Sequence, residues 1–145
     1  IMEEKIDFAE VPYQYAMCLN RQCLKANICL RQLAEQSVPE NIQHWVIISP
    51  KRLATVTGNC PYYRSNNKIR YAKGFIGILD HIPHKQMQIV VSYLMSYLGR
   101  RTYYRSRKGE RLLTPSEQQQ VLIILQNSGV THPQEFDSYI EGYDW

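Results

Sequence analysis

The residues best able to do chemistry in this chain are its four cysteines, all between positions 18 and 60, as Cys18-x4-Cys23-x5-Cys29-x30-Cys60-Pro61. In a reducing compartment such grouping argues for metal or redox chemistry over structural disulfides. Geometry sets a condition on a shared site. Were 18–29 one continuous α-helix, Cys18 and Cys29 would stand about 16 Å apart along its axis at ~1.5 Å per residue. The ligands of one zinc must each approach to about 2.3 Å from it. Residues 18–27 must therefore be looped, and Cys60 must return to the start of the helix that Cys29 opens. Cys29 is then expected in the first helical turn, where the dipole and free amides favour a thiolate or an anionic cluster. Proline after a ligating cysteine is familiar in iron–sulfur proteins, and the absence of a C-x-x-C knuckle makes a zinc finger less natural. The expected ligands are Cys18, Cys23, Cys29 and Cys60, and the expected cofactor is zinc or an iron–sulfur cluster. The competing reading makes all four buried small hydrophobes, because free cysteine is among the most buried residue types.

Charge supplies the second candidate site. The net charge of +4 conceals an asymmetry: residues 64–73 carry +4, residues 100–111 carry +5, and the remainder carries −5. The first segment holds Arg64, Lys68, Arg70 and Lys73, and the second holds Arg100, Arg101, Arg105, Arg107, Lys108 and Arg111 with Tyr103 and Tyr104 interleaved. Arginine forks match phosphate oxygens, and tyrosines can stack on unpaired bases. Residues 100–111, with a Lys108-Gly109 turn, are expected to form a projecting basic hairpin. The alternative is a solvated loop pairing with Glu135, Asp137, Glu141 and Asp144.

Enzymatic signatures are missing. No phosphate-binding loop, dinucleotide fingerprint, H-E-x-x-H or G-x-S-x-G occurs. His81 and His84 flank Pro83 and read as surface or helix-start residues, and His44 and His132 as strand-edge or loop residues. An enzyme is the minority reading.

The elements that must position these residues follow from pattern. Residues 13–36 favour helix, at least from Cys29 on, with Asn27 as N-cap. Residues 44–48 are the best strand, stopped by Pro50, after which Ser49-Pro50 starts a helical turn or two. Residues 62–71 suit a hairpin turning at Asn66-Asn67, or residues 70–80 a helix. Residues 84–98 form a helix closed by Gly99, and Thr114-Pro-Ser-Glu117 is a capping box opening a helix that ends at Gly129. A last short helix is expected over 133–141. The fold class is α+β, a mostly helical single domain over 2–145 with a small sheet or β-hairpins and residues 2–12 as an exposed lead-in. No apolar run approaches the ~18 residues of a membrane helix. Ile1 ahead of Met2 reads as a vector remnant, and the acidic start lacks a signal peptide's apolar core, so a cytoplasmic location is expected.

Several stretches together carry a resemblance: Cys-Leu-Asn-Arg-Gln-Cys (18–23), Cys-Leu-Arg-Gln-Leu-Ala (29–34), Cys-Pro-Tyr-Tyr-Arg (60–64), Arg-Tyr-Ala-Lys-Gly-Phe (70–75), Tyr-Arg-Ser-Arg-Lys-Gly-Glu-Arg (104–111) and Phe-Asp-Ser-Tyr (136–139). The chain resembles an uncharacterised family of short bacterial proteins, a domain of unknown function with four cysteines and a basic C-terminal half. The resemblance implies no activity. From the residues, the first expectation is a nucleic-acid-binding accessory or regulatory module stapled by a four-cysteine metal site. The alternatives are an iron–sulfur redox or iron-sensing protein, and a protein-interaction adaptor without metal.

Overall fold

The computed structural model describes residues 5–131 and 134–145. They fall into two compact units: unit 1 runs up to Asn67 and includes Tyr143–Trp145, and unit 2 is Lys68–Gly142.

Unit 2 carries the larger core. Strand β1 (Lys68–Lys73) pairs antiparallel with β2 (Ser138–Tyr143). Between them come α3 (Ile76–Asp80), α4 (His84–Leu98), α5 (Arg100–Lys108) and α6 (Pro115–Asn127). In α4 the apolar residues Met87, Val90, Val91, Leu94, Met95 and Leu98 recur at helical spacing, and Val90 and Leu94 are fully buried. They pack with Phe75, Tyr103, Leu113, Val121 and Leu125 into one cluster. The capping box forms as expected: Glu117 N donates to Thr114 Oγ1 at 3.3 Å, and Thr114 N donates to Glu117 Oε1 at 3.0 Å. Arg111 also donates to Glu117 Oε2, at 2.9 Å. Burial pulls the Glu117 carboxyl up, but the hydrogen bonds from Thr114 and Arg111 outweigh it and hold the group below the ordinary glutamate range.

Residues 100–111 are not a hairpin. Gly99, at φ 84° and ψ 151°, ends α4 and starts α5 as a one-residue corner. Gly109, in the left-handed conformation, terminates α5, with Glu110 N donating to Arg105 O at 2.9 Å. The left-handed glycine read as a hairpin turn is thus a helix cap. Tyr103 and Ser106, three apart, form the buried stripe that makes this segment a helix.

The expected helix over 133–141 is β2 from Ser138 on; His132 and Pro133 lie outside the described residues. Asp137 explains the difference. Its two carboxylate oxygens accept from Ile76 N and Gly77 N, both at 2.9 Å, and its own N–H donates to Gly74 O at 2.9 Å. It caps α3 and starts the pairing of β2 with β1.

Unit 1 has little regular structure: a 3-10 turn at Phe8–Glu10 capped by Asp7, α1 (Leu30–Gln36) and α2 (Pro50–Leu53). The lead-in is not wholly exposed, since Ile6 is buried. Residues 44–48 form no strand. Only Ile47 bridges, in parallel, to Met17, while Trp45 and Val46 remain exposed, so β-propensity without a second partner yields one bridge. The hairpin at Asn66-Asn67 is replaced by an antiparallel bridge from Ser65 to Cys29 and by β1.

Candidate metal centre

Residues 18–28 form no α-helix, as a shared cysteine site requires; they run through successive turns until α1 begins at Leu30. Cys18 follows the Met17–Ile47 bridge, and its N–H donates to Arg31 O at 3.1 Å. Cys23 closes a turn onto Asn20 O at 3.2 Å. Cys29 is the N-cap of α1 rather than a first-turn residue, which displaces Asn27 from that role. The amides at this helix start are already used: Cys29 N donates to Lys25 O at 3.0 Å and Leu30 N to Arg64 O at 2.7 Å. As N-cap, Cys29 makes no side-chain hydrogen bond to the helix amides, so the expected amide support for its sulfur is not formed.

That return brings Cys60 back. Arg31 donates through Nε to Tyr62 O at 2.7 Å and through Nη1 to Ala16 O at 2.8 Å, so one guanidinium ties the Cys60 segment to the Cys18 segment. All four cysteines line one cavity of about 30 Å³, walled also by Arg31 and Gln32. All are free thiols; Cys18 and Cys29 are buried, Cys23 and Cys60 half-buried. Among the described residues no three His, Cys, Asp or Glu side chains are grouped closely enough to hold a metal ion as they stand.

A polar relay backs the cavity. Gln32 is 1% exposed, and a side-chain amide that deep is costly unless its donors and acceptor are met. Its Oε1 accepts from Arg21 Nη1, and its Nε2 donates to Asn20 O and to Cys18 Sγ, the last at 3.5 Å. Arg21 is ion-paired to Glu35 on α1. Tyr15 packs its ring under Arg31, 4.8 Å from the guanidinium carbon. Burial raises the Tyr15 hydroxyl above the usual tyrosine range, with Arg31 opposing and Cys29 adding to the shift. Gln32 went unnoticed in the sequence; a glutamine inside α1 three residues after a cysteine was the only available signal.

The basic residues are dispersed. Arg64 lies in unit 1 and the others in unit 2. Tyr103, at 1% exposure, belongs to the core and has no face for a base. Arg111 is held by Glu117, Arg107 lies half-buried over the rings of Tyr103 and Tyr104, and Arg70 lies 3.6 Å over Tyr139. Arg100, Arg101, Arg105 and Lys108 are exposed on α5 with Tyr104 among them, and Lys68 and Lys73 are exposed on β1. Helix formation thus divides the segment into an inward and an outward set.

The family described as "Family of unknown function (DUF6078)" matches residues 2–145, and the chain belongs to it. No curated protein and no solved structure matches the chain. No helix among the described residues is long and apolar enough to cross a membrane.

Proposed function

We propose that unit 1 is a four-cysteine metal-binding module in which Cys18, Cys23, Cys29 and Cys60 take one zinc ion as a structural staple. The supporting observation is the convergence of all four cysteines on one cavity although they span 43 positions of chain. A space of about 30 Å³ is about two water-sized spheres. It suits a single ion better than an iron–sulfur cluster with its inorganic sulfides. The thiols must close inward to reach ligand distance, and residues 18–28 form turns with no helix or strand that would resist the movement. Zinc supplies a tetrahedral thiolate anchor when bound; Gln32 and Arg31 hold the sulfur-bearing segments in place. Protein purified under reducing conditions is expected to carry one equivalent of zinc, to give a tetrahedral thiolate spectrum on cobalt substitution, and to lose both in Cys60→Ser. Metal-free protein that refuses zinc with four titratable thiols refutes the reading. A brown, iron-containing protein replaces zinc with a cluster.

A second reading, contact with nucleic acid, is supported by four exposed cations on one helix, Arg100, Arg101, Arg105 and Lys108. Four neutralised phosphates imply a log-affinity slope near −3.6, at about −0.9 per contact, hence roughly a 150-fold loss between about 50 and 200 mM salt. Oligonucleotide titration at those two concentrations tests it, and salt-independent binding or none rejects it.

A further inference from the structure

Helix α4 gives only one side to the core of unit 2. Val90 and Leu94 are fully buried there, whereas Ile89, Tyr93 and Tyr97 stand 52%, 58% and 42% exposed. Spaced four apart, these three form one ridge along the helix. The neighbouring row, Gln88, Ser92 and Ser96, is exposed as well and stands lower beside it. No residue between Lys85 and Arg100 is charged, and α6, which packs beside α4, has no charged residue after Glu117. Tyr103, Tyr104 and Tyr139 of the same unit each meet a ring or a cation. Among the described residues Tyr93 and Tyr97 meet neither, and their hydroxyls make no hydrogen bond. Water-facing tyrosines in a strip without charge match the core of a protein interface, where tyrosine is enriched and charge depleted.

We propose that this face joins two copies of the chain, with α4 of one packed on α4 of the other about a two-fold axis near Tyr93. Charge selects a second copy as the occupant. In a two-fold contact each surface meets itself, so pairing through α5 would set Arg101, Arg105 and Lys108 against their own kind, whereas α4 brings no charge to the axis. The relief of the face is also self-complementary: the Ile89–Tyr93–Tyr97 ridge of one copy fits over the low Ser92–Ser96 row of the other, and the reverse. At the crossing angle near −50° that such packing favours, the helix ends splay apart, which leaves Lys85 and Arg100 in solvent, screened within about 10 Å. The area is sufficient to start an interface. The exposed fractions of the two tyrosines add up to one whole side chain, roughly 200 Å², and Ile89 raises this toward a third of the ~800 Å² per partner of a standard interface. The flanking glutamine and serine side chains supply its polar rim.

Sedimentation velocity of the full chain, under reducing conditions so that no cysteine bridge contributes, tests the assignment. A monomer–dimer transition is expected between about 1 and 300 μM. Tyr93→Glu should weaken the dimer at least about a hundredfold, because the substitution enters twice at one axis, and Tyr93→Lys should do the same. An equimolar mixture of these two variants should dimerise again, which chains that had failed to fold could not do. Arg105→Glu, on the outward face of α5, should leave the transition where it was. Raising salt from about 50 to 500 mM should leave the dimer unchanged or tighten it, since no attraction between charges holds it. A chain that stays monomeric up to about 300 μM overturns the proposal. So does a dimer that survives both Tyr93 substitutions, a variant mixture that stays monomeric, or a dimer dissolved by salt or by Arg105→Glu.

Discussion

Withdrawing zinc should unfold unit 1 selectively, and the structure sets the scale of the effect. Among the described residues unit 1 buries seven apolar side chains, Ile6, Met17, Cys18, Cys29, Leu30, Ala34 and Ile48, whereas unit 2 buries thirteen. Two of the seven are candidate ligands. A unit of this size with so thin a core and no sheet depends on a staple for independent stability. With free zinc at about a thousandfold excess over its dissociation constant, binding to the folded state contributes about 4.1 kcal/mol. At about 4–8 °C per kcal/mol for a unit of this length, chelation should lower its midpoint by roughly 16–32 °C. The assay is hydrogen–deuterium exchange with peptide resolution, run with zinc and with a strong chelator under reducing conditions. Peptides covering 16–36 and 58–66 should lose protection on chelation while those of α4 and α6 keep theirs. Equal protection in both conditions, with a midpoint that moves by less than about 2 °C, refutes the staple, because the thiols would then be small hydrophobes that need no metal.

Two further outcomes follow from unit 2. Glu117 has a depressed carboxyl in the folded state, so its contribution is complete above the unfolded glutamate range and is lost as pH falls through the folded value. Glu117→Gln should therefore flatten the acid limb of stability measured by urea denaturation between about pH 5 and 2, and an unchanged limb contradicts the cap. Gly74 has φ +83°, and an added Cβ would lie 2.7 Å from Asp137 Oδ2. Gly74→Ala should cost about 2–4 kcal/mol, summing left-handed strain and a displaced cap, whereas Gly58→Ala, at φ +72° with nothing within 4 Å, should cost only about 1–2 kcal/mol. Equal losses for the two in urea titrations would show that the Asp137 contact is unimportant.

Local signals were legible wherever one short segment decided its own structure. The Thr114–Glu117 box, the Ser49-Pro50 start and the apolar spacing of α4 each contain their full cause within a few residues. The errors occur where a distant residue decides. Asp137 converts an expected helix into the lead-in to a strand because its carboxylate is committed to amides sixty and sixty-one positions away. Residues 44–48 have strand composition but only Met17 to pair with. Gly109 looked alike as a turn and as a cap, since both need a left-handed glycine, and only the burial of Tyr103 and Ser106 separates them. For the cysteines, reach alone set the condition that a shared site needs a looped 18–27 segment and a returning Cys60, and the chain has both. Arg31 as the tie between the two segments and Gln32 behind Cys18 were not legible, because neither residue type announces its partner.

The cap that Asp137 places on α3 also orders events in time. β1 and α3 are synthesised some sixty residues before the carboxylate that satisfies the Ile76 and Gly77 amides and before the strand that pairs with β1. On a ribosome those segments must wait, with their amides solvated and the Lys68–Lys73 strand edge open, until residues 137–143 have emerged. Closure of such a distant contact carries the loop-entropy cost that slows folding. Unit 2 is thus expected to acquire its final form after translation of its last strand, in a single late step. Nascent chains stopped short of that point would present the unpaired edge to one another.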